Sequence, residues 1–366
     1  MVSIRAAVVR DKGAPFAIEE LSLAEPRPDE VLVRTVATGV CHTDLLTRDQ
    51  ILPPGPPAVL GHEGSGVVEA VGPAVTSVAV GDTVVLGPIS CGGCRNCLRG
   101  HPMSCETFMP MNFGGRRADG STGCTDATGA EVNAHYFGQS SFGSHMLTHQ
   151  RCVVKVPAGA PLELLGPLGC GLQTGAGAVL NSLNPPAGSS IAVFGAGGVG
   201  LAAVMAAALT GCSTIIVVDL QDSRLALARE LGATHTVNAG AEDAVARIQE
   251  ITGGGADFSL DAVGLPLTAR QAVDAVNIGG TAGIVGAAGF GSEIPIDLAT
   301  LLTSRTVKGI VEGDSVPQLF VPTLIELYLA GRFPFDRLVR TYAFDEINKA
   351  VEDAESGETI KPVLVF

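Results

Sequence analysis

The chain has 366 residues, too many for one ordinary core, and its 46% hydrophobic content is enough to bury two. Its 23 basic and 37 acidic side chains leave a net charge of −14, which repels a phosphate backbone and argues against nucleic acid as a partner. The opening residues, MVSIRAAVVRDKG, lack the apolar core of a secretory signal, so a reducing cytoplasm is the expected compartment.

Through residue 170 the chain shows short alternating apolar runs, among them EVLVRTVATG and GSGVVEAVG, broken by Pro and Gly. This texture predicts an irregular β-rich domain. Nine cysteines in a reducing compartment point to metal rather than to disulfides. Cys91, Cys94, Cys97 and Cys105 form a C-x2-C-x2-C-x7-C series. Four thiolates so close in sequence can complete a tetrahedron round zinc and leave no open position, so the site reads as structural. A redox dithiol is the rival reading, but no thioredoxin-like unit surrounds these cysteines. Cys41 in GVCHTD, His62 with Glu63 in GHEGSG, and Cys170 in GCGLQTG are scattered along the chain. Taken singly, each cysteine reads as a small buried residue. Together, two cysteines and a histidine make a zinc set with one position left for substrate.

From residue 188 the texture changes. The apolar runs SIAVFG, TIIVVD, DFSLDAVG and TAGIVG alternate with helical patterns such as SRLALARELG, as a parallel sheet covered on both faces requires. Residues 191–209 are apolar enough to suggest a membrane helix, but Gly195, Gly197, Gly198 and Gly200 argue for a strand, a tight turn and a buried helix. These glycines form G-x-G-x-x-G between strand and helix, the dinucleotide fingerprint in its required context. Asp219 ends the next strand, where a carboxylate accepts ribose hydroxyls and repels a 2′-phosphate, so NAD is expected over NADP.

After VKGIVEGD come a helical pattern, VPQLFVPTLIELYLAGR, and a terminal strand, KPVLVF. The predicted organisation is α/β. A discontinuous β-rich domain covers residues 1–171 and 312–366 and includes the cysteine lobe 91–105. A doubly wound Rossmann-type domain covers residues 172–311.

GHEGSGVVEAVG, the four-cysteine lobe, GCGLQTG and GAGGVG occur in the order and spacing of a known family. Over essentially its whole length the chain resembles the zinc-containing alcohol dehydrogenases of the medium-chain dehydrogenase/reductase family. CHTDLLTRDQ and IVEGDS are similar to the aryl-alcohol branch. The resemblance implies a GroES-like catalytic domain and two Zn2+ per chain. Cys41, His62 and Cys170 would hold the catalytic ion, with Glu63 behind it and Asp44 orienting His62; for Glu63 the alternative is a structural pair with a basic group. Thr43 resembles the hydroxyl that takes the alcohol proton. Leu46 replaces the histidine that ends this relay in many relatives, leaving water or His42 for the last step. His42 and Lys361 resemble residues at the cofactor pyrophosphate, Arg224 one beside the adenine ribose, and Thr174 and Val199 positions at nicotinamide.

The implied reaction is reversible oxidation of a primary aromatic or allylic alcohol to its aldehyde, by zinc-assisted alkoxide formation and hydride transfer to NAD. Gly87 falls where liver-type enzymes place a narrowing Phe, so a roomier pocket is expected. Aliphatic alcohols or S-hydroxymethylglutathione are the alternative substrates, and a non-catalytic zinc and nucleotide-binding protein is the remote one. A homodimer or homotetramer is expected, with no membrane partner. Glu312 has no assigned role.

Overall fold

A computed structural model describes all of residues 1–366. The chain divides into two units. The first comprises Met1–Cys170, Val316–Ile325 and Asp336–Phe366, and the second comprises Gly171–Ser315 and Glu326–Phe335. The expected return of 312–366 to the catalytic domain needs correcting at two places. Glu312–Ser315 stays with the second unit, where Ser315 and Glu312 bond to Gln173. Glu326–Phe335 also belongs there, and within it Tyr328 and Phe333 each pack a ring against buried Phe335.

The first unit is β-rich, as its alternating runs predict. A four-stranded sheet runs in the order Ala58–Val59, Val2–Val9, Ala17–Leu23, Cys124–Thr125. A larger, mainly antiparallel sheet has Glu30–Gly39 and Glu63–Val71 at its centre, with Lys361–Val365 on the other side of Glu30–Gly39. Ala6, Val8, Phe142 and Leu364, all fully buried, belong to the core that these strands enclose.

The second unit is a six-stranded parallel sheet. Its strands are β1 (Ser190–Phe194), β2 (Thr214–Asp219), β3 (His235–Asn238), β4 (Ala256–Asp261), β5 (Val276–Ile284) and β6 (Thr306–Gly309), in the order β3-β2-β1-β4-β5-β6. This is the doubly wound order, with its reversal between β1 and β4. Two helices matter for the site: α1 (Gly171–Gly177) and α2 (Gly198–Thr210). The apolar stretch 191–209 is thus split between β1 and α2, and no helix of the chain is long and apolar enough to cross a membrane.

The turn from β1 into α2 needs glycine at particular places. Gly195 has φ +94°, a left-handed conformation that other residues rarely adopt. A Cβ on Gly200 would fall 1.7 Å from the Gly195 carbonyl oxygen, so helix and strand can lie this close only without one. Gly200→Ala is expected to cost about 1–3 kcal/mol, because backbone rather than a movable side chain must give way. A thermal unfolding curve unchanged by this substitution would contradict the argument.

Candidate active site

Strand register brings the scattered metal-type residues together. Gly39 pairs with Glu63 across antiparallel strands, so Cys41 and His62, just beyond those strand ends, emerge side by side. Cys170 follows the turn Gly166–Gly169, which lies against the same strands. A Cβ on Gly166 would meet the Glu63 carbonyl oxygen at 2.2 Å, and one on Gly169 the Leu86 carbonyl oxygen at 2.0 Å. The ligand atoms of Cys41, His62 and Cys170 consequently lie within 4.8 Å of one another.

One carboxylate ties these segments. Asp44, fully buried in the first turn of helix His42–Arg48, accepts the Cys41 backbone N–H at 2.9 Å through Oδ2. Its Oδ1 accepts the Gly61 N–H at 3.1 Å and lies 2.8 Å from His62 Nδ1. With Nδ1 so engaged, the lone pair of Nε2 is the one presented inward. Nε2 is buried and has no hydrogen-bond partner in the protein. A buried nitrogen rarely goes unpaired, and here it shares its space with two sulfurs. That donor set fits zinc, with three protein ligands and a fourth position to spare.

The Cys170 contact, and then His62 and Lys361, hold the Cys41 thiol well below its ordinary value despite burial. Burial works to lower His62, but the charge and hydrogen bond of Asp44 outweigh it and raise the imidazole. Beside this cluster, Lys361 Nζ bonds both Glu63 oxygens, at 2.9 and 3.1 Å, and the Val40 carbonyl at 3.3 Å. Burial raises the Glu63 carboxyl, while Lys361 opposes it. Burial also works against the Lys361 charge, but the Glu63 charge outweighs it and raises the ammonium. Gly39 makes the pair possible, since its Cβ would fall 1.9 Å from Glu63 Oε2.

The four lobe cysteines also gather within 4.8 Å. Cys94 and Cys97 sulfurs are 3.5 Å apart and those of Cys91 and Cys97 3.9 Å. These spacings fit the ~3.8 Å edge of a zinc–thiolate tetrahedron. Backbone N–H groups of Cys91 and Cys94 donate to the sulfurs of Cys105 and Cys91, each at 3.3 Å. Hydrogen bonds to backbone lower the Cys91 and Cys94 thiols, whereas burial pushes Cys97 up to about 12.

In the second unit the glycine loop leaves the space that a pyrophosphate needs: a Cβ on Gly197 would meet nothing within 4 Å. Asp219 lies beside it, accepting the Ala196 N–H at 2.7 Å and the Gln221 N–H at 2.9 Å. Arg224 Nε is buried without a hydrogen-bond partner. The cradle and the polar groups beside it fit a dinucleotide.

Residues 198–329 match the zinc-binding dehydrogenase family, and residues 27–158 match the alcohol dehydrogenase GroES-like domain. The chain is 50% identical to a geraniol dehydrogenase of Castellaniella defragrans over 368 residues, 100% of this chain and 98% of the relative. This chain belongs to the zinc-containing alcohol dehydrogenases of the medium-chain family. Among solved structures it resembles benzyl alcohol dehydrogenase from Acinetobacter calcoaceticus, at 47% identity and a TM-score of 0.96 with 100% of each chain covered. It is also similar to an alcohol dehydrogenase zinc-binding domain protein from Burkholderia ambifaria, at 55% identity and a TM-score of 0.97, covering 100% of this chain and 99% of the other.

In this alcohol dehydrogenase Thr43 lies at the Cys41 sulfur, its Oγ1 3.7 Å away, while His42 is exposed at the start of its helix. Lys361, expected at a phosphate, is buried and ion-paired with Glu63. Thr174 is buried on α1, and Val199 is half-buried in the first turn of α2. The sequence reading missed the support of His62 from HYFGQ. Phe137 stacks on the imidazole at 4.4 Å between ring centroids, and Gln139 donates to the His62 carbonyl at 3.0 Å. These residues follow no strand or helix period, so only the folded chain reveals them. Elemental analysis is expected to find two zinc ions per chain, and one in Cys170→Ala together with loss of activity. Full activity in that variant would remove Cys170 from the reaction.

Proposed function

We propose that this enzyme oxidises primary aromatic or allylic alcohols to their aldehydes, reversibly and with NAD. The observation that carries the reading is the buried, unpartnered Nε2 of His62 beside the sulfurs of Cys41 and Cys170. When bound, zinc supplies Lewis acidity that favours loss of the alcohol proton near neutral pH, and NAD supplies the acceptor for hydride.

The chain's own residues do the positioning. Asp44 holds the imidazole in the orientation that presents Nε2. The Thr43 Oγ1 receives the alcohol proton, and water or exposed His42 carries it onward, because Leu46 has no group to take it. Glu63 and Lys361 compensate each other's buried charge, so neither confronts the metal ligands unpaired. Glycines 195, 197, 198 and 200 and Asp219 hold the dinucleotide, with Arg224 beside its adenosine half.

Two considerations support the substrate class. Geraniol and benzyl alcohol, named for the relatives, both carry an unsaturated carbon next to the carbinol. Gly87 is buried beside Gly169, the neighbour of Cys170, and a Cβ there would press on Pro317 at 3.3 Å, so the position accepts no larger side chain without a shift and the Phe of the liver-type enzymes has no counterpart here. Exposed Ile278, Leu298 and Leu302 in the second unit favour a homodimer or homotetramer.

Relative kcat/KM for benzyl alcohol, geraniol, hexanol and S-hydroxymethylglutathione tests the substrate class. The two unsaturated alcohols are expected to lead by about tenfold or more, as an optimised apolar pocket allows. Turnover of the glutathione adduct alone would sink the assignment. Asp219→Gly is expected to reduce the preference for NAD over NADP by about tenfold or more, since a charge opposed to the 2′-phosphate is lost. An unchanged ratio would show that the carboxylate does not discriminate.

A further inference from the structure

Glu312 follows the apolar pair Ile310 and Val311, and the structure gives it a built setting. It is only 9% exposed and follows β6 at the carboxyl end of the sheet. Its Oε2 accepts the Thr174 hydroxyl at 3.1 Å and the Gln173 amide at 3.3 Å. Ser315 donates to Gln173 Oε1 at 3.0 Å, which turns the amide nitrogen toward Glu312. Hydrogen bonds donated to a carboxylate favour its charged form.

The backbone is shaped to hold the side chain there. Glu312, Gly313 and Asp314 have φ of 49°, 65° and 48°, three left-handed residues in succession. A Cβ on Gly313 would fall 2.5 Å from the Gln173 carbonyl oxygen, and one on Gly177 2.5 Å from that of Gly313. Asp314 is itself pinned by Ser182 at 2.7 Å and Lys308 at 3.1 Å. Non-glycine residues stay in this conformation only where their surroundings over-determine it, a condition that clusters at functional sites.

Topology assigns the locus to one end of a dinucleotide. Strands β1–β3 form the half that contains Asp219, at the end of β2, the adenosine half, and β4–β6 form the nicotinamide half. Glu312 follows β6. Its partner Thr174 precedes Gly175, which packs so closely on the glycine loop that a Cβ would meet the Val199 carbonyl oxygen at 1.9 Å. Carboxylate, hydroxyl and loop therefore form one contiguous block.

We propose that Glu312 sets the preference of the enzyme for the redox state of its cofactor, its buried negative charge favouring the cationic oxidised nicotinamide over the neutral reduced ring. This rests on reading the glycine loop as an NAD site. The two cofactor forms differ in ring charge and share their adenosine half, so a fixed charge beside the ring acts on the ratio of their affinities.

The test is calorimetric titration of the zinc-loaded enzyme with NAD+, NADH and ADP-ribose, which lacks the nicotinamide. In Glu312→Gln the ratio of Kd for NAD+ to Kd for NADH is expected to rise about tenfold, with ADP-ribose affinity unchanged. Glu312→Asp keeps the charge and is expected to keep the ratio within about twofold. An unchanged ratio in Glu312→Gln, equal weakening of all three ligands, or the same ratio shift in Glu312→Asp would overturn the proposal. Failure of the unaltered enzyme to bind any of the three would instead overturn the underlying cofactor reading.

Discussion

The contact on which the catalytic unit depends is the Asp44 carboxylate, buried and shared among Cys41, Gly61 and His62. It joins the helix after one strand to the turn before its antiparallel neighbour, and so fixes the separation of two metal-type residues from different parts of the chain. It also decides which imidazole nitrogen is left over. A buried carboxylate is costly unless fully hydrogen-bonded, and Asp44 meets that condition with two backbone donors and one ring nitrogen. The same bonds that satisfy it orient the site, so removal of the acid would affect both stability and ligand geometry.

The two cysteine-bearing clusters are held together in different ways. The lobe Cys91–Cys105 closes within one short loop, and its N–H···S bonds come from its own backbone. Closure of so short a loop costs little entropy, so this cluster can form largely from local chain. Cys41, His62 and Cys170 converge only once the central strands have paired and the glycine turn before Cys170 has docked. Metal affinity at the second cluster is therefore coupled to completion of the sheet.

This difference also explains what was legible in the sequence. The cysteine lobe, the G-x-G-x-x-G loop and Asp219 are local patterns, each placed by one strand, turn or helix, and their spacing alone conveys their chemistry. The strand and helix that split residues 191–209 were readable for the same reason. The Glu63–Lys361 pair spans 298 positions and the Thr174–Glu312 bond 138. Neither has a periodicity to betray it, because each arises from which strand ends or turns happen to be neighbours. The different boundary near residue 312 has the same origin: the bonds that tie Glu312 and Ser315 to Gln173 reach far back along the chain.

Buried acids recur through the molecule, and each is handled by its neighbours in a different way. Asp44 faces neutral donors and an imidazole, Glu63 faces a full ammonium, and Glu312 faces an amide and a hydroxyl. An ammonium cancels a carboxylate at short range, so Glu63 and Lys361 together present little net charge to the cysteine sulfurs beside them. Amide and hydroxyl donors satisfy a carboxylate without cancelling its charge. On the proposal made for Glu312, its charge acts beyond these two hydrogen bonds. The choice of partner, as well as burial itself, therefore sets how much of each acid's charge its surroundings compensate.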